Sequence, residues 1–459
     1  MNSARQAFHI ENIDRHRQLT MAAFDYIWAN PETGYREWKT HKYLWDAFTA
    51  LGYDLVAAGN IPGFYTDLDT GRPGPTVLVM GELDSLIVPT HPEADPETGA
   101  VHACGHCAQA AALLGLAAVL KEPGALDGLC GRIRLMAVPA EELIEIEYRE
   151  QLRKDGVISY FGGKPEFMRR GMMDGVDMAM MIHSANGTPA HHGYIQAGLN
   201  GCLSKKITFT GRSAHAGGAP HQGINALYAA NQALSAINAL RETFQDSAHV
   251  RVHPIITSGG AVVNAIPDRV TVESYVRGAT MDSVRDTNRK VNRALAASAA
   301  ALGAGVTLCD RPGYAPCVND PAFMQLAREA MECCLDNVGF DPSDWDMGST
   351  DMGDVSCVMP AIHPFIGGAC GLSHGDDFGF TDAAALCLDT AKAHALMLEL
   401  LLSDGAARAK EILAGFTPRF PSIPDYLAYM DSLILDRDAV RYDEEGNVLL
   451  NLGPAEKNI

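Results

Sequence analysis

The sequence predicts an α/β fold: a mostly parallel sheet with helices on both faces, interrupted by an inserted ferredoxin-like α+β domain. Two observations carry this expectation. In the first part of the 459-residue chain, helical spacing alternates with continuous apolar runs, the pattern of buried parallel strands joined by helices. From about Gly198 the order changes to β-α-β-β-α-β, which makes a compact ferredoxin-like unit on its own.

The elements follow in order. "RHRQLTMAAFDYIWANPE" has helical spacing, "GPTVLVMGELD" reads as a buried strand, "AQAAALLGLAAVLKE" is helical, and "GRIRLMAVPAEE" and "GVDMAMMIHSANG" are further strands. The insert contains the strand "CLSKKITFTG", a helix "INALYAANQALSAINALRET", strands "VRVHPIIT" and "RVTVESYVRG", a helix "MDSVRDTNRKVNRALAASAAALG" and the strand "GVTLCD". The α/β domain resumes near Gly313 and closes through "MPAIHPFIGG" and the helix "DAAALCLDTAKAHALMLELLLS". The expected division is 1–197 and 311–405 for the two parts of the catalytic domain, 198–310 for the insert, and 406–459 for a polar, Pro-containing extension. That extension reads either as a packed arm or as a partner contact.

Composition narrows the function classes. With 47% hydrophobic and 20% charged residues the chain reads as an ordinary soluble globular protein. A formal charge of −20 argues against nucleic acid or an anionic membrane as partner, because both attract basic patches. The N-terminal stretch has no apolar core behind basic residues, and eleven scattered cysteines do not form a disulfide framework. A cytoplasmic location with mostly reduced thiols is the expectation.

The chemistry gathers at the ends of the predicted strands. "GELDSL" ends one strand with Glu82 and Asp84, "HACGHC" follows with Cys104 and His106, "PAEEL" brings Glu141 and Glu142, "MIHS" brings His183, and "LSHGDDF" brings His374. A thiolate, imidazoles and carboxylates converging on one sheet edge are what a zinc- or manganese-type site requires. Adjacent residues at a strand end project in different directions, so one carboxylate of the Glu141–Glu142 pair can bind metal while the other takes a proton from water. Cys104 and Cys107 also have C-x-x-C spacing, so a dithiol redox centre is the competing reading. A thioredoxin-like unit carries an aromatic residue before its first cysteine, and here that residue is Ala103.

The ordered set "GELDSL", "HACGH", "AEE", "IHS", "GRSAHAGGAPHQGINAL", "GGAVVNAIPDRV", "STDMGDVS" and "LSHGDDF" resembles the M20 peptidase family of dinuclear metallohydrolases, in particular its amidohydrolase branch and the p-aminobenzoyl-glutamate hydrolase subunits. The resemblance runs from about residue 20 to 400. It implies that Cys104, His106, Glu142, His183 and His374 are metal ligands, with Cys104 a candidate bridge, that Glu141 is the general base, and that Asp84 orients a ligand histidine. It also implies that the insert is a lid and dimerisation domain, that the protein is a homodimer, and that His215 reaches a neighbouring subunit's site to polarise the scissile group. Asn264 and Arg277 match substrate-binding positions of the lid, although Arg277 can equally hold the insert's own fold. The chain departs from the branch at Cys107, at Gln109, and in the added stretch "IVPTHPEADPETGA". The implied cofactor is zinc or manganese, one or two ions per chain. The implied reaction is hydrolysis of a C–N bond in a small carboxylate-bearing substrate, an N-acyl or aminobenzoyl amino acid. Alternatives are deamination of an aminoaromatic acid with release of ammonia, and a non-catalytic binding subunit.

Overall fold

The computed structural model describes residues 2–453 and divides them into two compact units. The first comprises the chain up to Gly198, Cys317–Asp346 and Asp351–Tyr426; the second comprises Leu199–Pro316, Met347–Thr350 and the chain from Leu427.

The first unit is built on a six-stranded sheet in the order Val56–Ala57, Phe64–Asp69, Arg132–Val138, Thr76–Glu82, Met178–Met180, Ala361–Ile362. Its last four strands run parallel, and the pairings at the Val56 edge are antiparallel. Every residue of Thr76–Glu82 is buried, as a central strand covered on both faces demands. The helix His106–Leu120 is buried along its whole length, packing on that strand and against the helices Arg17–Ala29 and Ala383–Leu402. Its alanines and glycine suit it to this place, since a helix apolar on every side has no solvent face to offer. A strap ties the chain's start to the same core: Arg5 and His9 of helix Ser3–Arg15 both bond Glu399, on helix Ala383–Leu402, at 2.8 and 3.0 Å.

A second sheet in this unit differs from the expected single returning strand. "MPAIHPFIGG" forms Ala361–Ile362 in the large sheet and Phe365–Cys370 in another, where it pairs with His183–Asn186 and His192–Leu199. Pro364 stands at the break, where a residue without an N–H cannot continue a ladder.

The second unit carries the strands Gly201–Thr210, Arg269–Gly278 and Gly305–Tyr314, with the helices Ala226–Leu240 and Met281–Ala301 packed on them. The expected strand "VRVHPIIT" is split at His253-Pro254 into Arg251–Val252 and Ile255–Ser258, again by a proline. The 406–459 stretch is not one separate body. Residues up to Tyr426 belong to the first unit, while Leu435–Tyr442 and Val448–Leu450 add two antiparallel strands to the insert's sheet beside Gly305–Tyr314. Residues 454–459 of that stretch lie outside the described residues. No helix among the described residues is long and apolar enough to cross a membrane.

Candidate metal centre

Each candidate ligand is delivered by an element end. Glu82 closes a central strand and Asp84 lies two residues beyond it, both fully buried. A short hairpin, Leu86–Ile87 with Ala100–Val101, leads into Cys104 and the turn at Gly105, whose φ of +94° suits glycine. A Cβ there would collide with the Ser184 side chain, which donates to the Cys104 carbonyl at 2.9 Å. His106 then opens the buried helix. Two residues past the strand Arg132–Val138, Ala140 is held at φ +58° with its N–H donated to Glu37 at 2.7 Å, and this bend presents Glu141 and Glu142. His183 leaves Met178–Met180, and His374 sits on the loop after Phe365–Cys370, its N–H bonded to the Ala103 carbonyl at 2.9 Å.

These residues come together. Cys104, His106 and His183 have donor atoms within 4.8 Å of one another, and so do Cys104, Glu142 and His374. Cys104 is therefore common to two triads, with its Sγ 3.3 Å from His183 Nε2, while His374 Nε2 lies 3.3 Å from Glu142 Oε1. A third set joins His106, Glu141 and Glu142.

The histidines are oriented for coordination. His106 Nδ1 faces the Asp84 carboxylate at 3.1 Å and its carbonyl at 3.0 Å, and His183 Nδ1 faces the Ser184 carbonyl at 2.9 Å. Those acceptors hold the proton on Nδ1 and leave the Nε2 lone pair for a metal. The other Asp84 oxygen accepts the Glu142 N–H at 2.8 Å, so one carboxylate positions two candidate ligands. Among the described residues His106 Nε2 and Glu142 Oε1 are buried without a well-formed hydrogen bond, facing Glu82 Oε2 at 3.2 Å and His374 Nε2 at 3.3 Å, a clustering of donor atoms that suits a metal ion. The donor set of one thiolate, three imidazoles and carboxylate fits a divalent transition-metal ion.

The electrostatics agree. Burial and Glu142 push the Cys104 thiol up, but His183 and His106 outweigh them and bring it down to about 6. Burial also raises Glu142, yet the His374 imidazole holds it near 2. Glu141 lies well above the usual carboxylate range because it is buried beside Glu82, Glu142 and Asp351. Glu142 raises His374 to about 11.

Cys107 does not share this environment. It is fully buried in the hydrophobic core, and burial pushes its thiol up while Cys104 is pulled down. A dithiol centre needs two thiols open to exchange, and the structure offers no such pair here. His102 and His363 are buried and belong to neither triad; burial drives both down to about 3, so they are neutral. Asp377 shapes the His374 loop by accepting the Leu372 N–H at 3.0 Å.

In the second unit, His215 is exposed, and its Nδ1 accepts the N–H groups of Gly217 and Gly218 at 3.2 and 2.9 Å. This leaves Nε2–H as the outward donor. Asn264 is exposed beside it, its carbonyl accepting the Ala216 N–H at 2.9 Å. Arg277 is engaged inside its own unit, donating to His253 and Ser349 at 3.3 Å each.

Sequence reasoning missed a buried charge cluster beside the triads. Lys164 donates to Glu82 at 2.5 Å and to Asp351, and Glu82, Glu141 and Asp351 form a further acidic set. Glu82 and Asp351 stand in quoted motifs, but Lys164 lies in "GGKPEF", where nothing distinguishes it from a surface lysine.

A family model described as a peptidase dimerisation domain matches residues 197–302. The indole-3-acetyl-aspartic acid hydrolase of Enterobacter agglomerans is 31% identical over 284 residues, 59% of this chain and 60% of that one. One of the p-aminobenzoyl-glutamate hydrolase subunits of Escherichia coli is 30% identical over 261 residues, 54% of this chain and 55% of that one. The chain thus aligns with little more than half the length of these two relatives. The crystal structure of a Bacillus subtilis dinuclear metal-binding peptidase from the M20 family superposes with a TM-score of 0.62 at 20% identity, covering 86% of this chain and 99% of that one. The chain thus carries a match to a peptidase dimerisation domain, is similar in sequence to these two hydrolases, and has the fold of an M20-family peptidase.

Proposed function

We propose that the protein is a divalent-metal hydrolase that cleaves the amide C–N bond of a small carboxylate-bearing substrate, an N-acyl or aminobenzoyl amino acid, with Glu141 as general base. The observation that carries this reading is the pair of donor triads sharing Cys104, with Glu141 beside the ligands His106 and Glu142. Cys104, His106 and His183 would hold one ion, and Cys104, Glu142 and His374 a second, zinc or manganese. A bound divalent ion supplies Lewis acidity, lowering the pKa of water toward neutrality and polarising a carbonyl.

The chain's own residues do the rest. A bound cation would offset the burial and the neighbouring carboxylates that raise Glu141, and its carboxylate, then ionised, would take the proton of the attacking water and return it to the leaving nitrogen. Asp84 holds His106 and the Glu142 backbone in place. The dimerisation-domain match at 197–302 supports a homodimer, in which His215 would offer its Nε2–H to the substrate oxygen in a neighbouring protomer. The names of the two amide-cleaving sequence relatives support the substrate class.

Glu141→Gln tests the assignment. The variant should bind metal as the wild type does and lose turnover of N-acyl amino acids and aminobenzoyl conjugates by about 10²-fold or more. Retained turnover would remove Glu141 from its role. Release of ammonia with no second organic fragment would replace the amide reading with deamination.

A further inference from the structure

The loop that carries His374 is held at three places, the first at its start, where the Asn186 amide donates to the Gly371 carbonyl at 3.2 Å. Near its middle, the His374 N–H bonds the Ala103 carbonyl at 2.9 Å, with His374 at φ +64° and its side chain about half exposed. At its end, the Phe378 carbonyl accepts a hydrogen bond from His91 Nε2 at 2.8 Å. His91 lies in the added stretch between Ile87 and Ala100 and is 5% exposed. Its Nδ1 accepts the Glu93 N–H at 3.0 Å, which puts the ring proton on Nε2 and makes His91 the donor to Phe378.

The contact is part of a packed patch. The Phe378 side chain is buried with Leu86, Val101, Ala103 and Ala369, joining the hairpin, the turn before Cys104 and the His374 loop. Trp28 donates to Glu93 at 2.7 Å and lies edge-on to the His91 ring. His106 and His183 are held by other groups, Asp84 and Ser184.

From this difference we propose that His91 is a positioning residue for His374, so that the added hairpin stretch sets the affinity of the ion held by Cys104, Glu142 and His374 and not that of the ion held by Cys104, His106 and His183. The inference rests on the two-ion reading given above. Groups that orient a metal ligand typically change metal affinity about 10–100-fold when removed.

The experiment is a chelator-competition titration of Zn(II) into the full chain, comparing wild type, His91→Ala, His91→Asn and His91→Gln. Wild type should bind two ions. His91→Ala should keep one at wild-type affinity and hold the other about 10–100-fold more weakly. His91→Asn, too short to reach Phe378, should show the same selective loss and serves as the test should the alanine variant fail to fold. His91→Gln places an amide nitrogen near the position of Nε2 and should restore the second ion. Two ions bound with wild-type affinity in the alanine or asparagine variant would overturn the proposal, as would equal weakening of both ions or failure of the glutamine variant to restore binding. Fewer than two ions on the wild type would overturn the two-ion reading and this inference together, so the control separates the two failures.

Discussion

Cys104 and Cys107 stand three residues apart and meet opposite fates. Cys104 lies at the turn facing His183, where imidazoles bring its thiol down to about 6; Cys107 points into the core, where burial raises it. Because Cys104 belongs to both triads, Cys104→Ser should cost both metal equivalents, as read by elemental analysis of the purified protein. Cys107→Ser should keep the metal and lose stability by about 1–3 kcal/mol, the cost of a buried hydroxyl without a partner, as read from denaturant unfolding. The candidate ligand cluster was legible because its residue types are rare together and recur at strand ends. Lys164 was not, since a single lysine in a polar stretch acquires its meaning only from the two carboxylates that tertiary folding brings to it.

Turns and strand breaks decide how those residues are aimed. Gly105 adopts a left-handed φ between two candidate ligands, and its missing side chain lets Ser184 approach the Cys104 carbonyl. Gly105→Ala should destabilise the protein by about 1–2 kcal/mol from backbone strain alone and weaken metal binding as Ser184 is displaced. Thermal unfolding with and without Zn(II) measures both effects; an unchanged melting temperature would refute the requirement. Long periodic elements such as Met281–Ala301 were readable from the sequence, because periodicity is a local property. The divisions at Pro254 and Pro364 were missed although proline marks each, and which sheet receives each fragment depends on partners far along the chain.

For the molecule as a whole, the strap from the first helix to helix Ala383–Leu402 should make stability pH-dependent. Burial alone would raise Glu399, but hydrogen bonds from His9 and Arg5 hold it below its usual value of 4.5. A depressed carboxyl stabilises the fold above its unfolded value, so this contribution is present at neutrality and is lost as pH falls below about 4.5. Glu399→Gln should therefore cost about 1–3 kcal/mol at pH 7, trimmed by the partial exposure of Arg5, and distinctly less at pH 3. Urea unfolding at the two pH values checks the sign; an equal loss at both would show that the effect is packing and not charge.

By itself the sequence determined the α/β class, the inserted β-α-β-β-α-β unit and the strand-end chemistry, because each is written in local periodicity or in short, ordered motifs. Tertiary structure alone decided that Asp84 also anchors the Glu142 backbone, that Lys164 joins Glu82 to Asp351, and that His91 reaches the loop of His374. It also decided that the last strands complete the insert's sheet. The physical reason is range: periodicity and turn chemistry act over a few residues, whereas ligand geometry, buried charge and strand pairing depend on groups separated by tens to hundreds of residues that only the packed core brings within hydrogen-bonding distance.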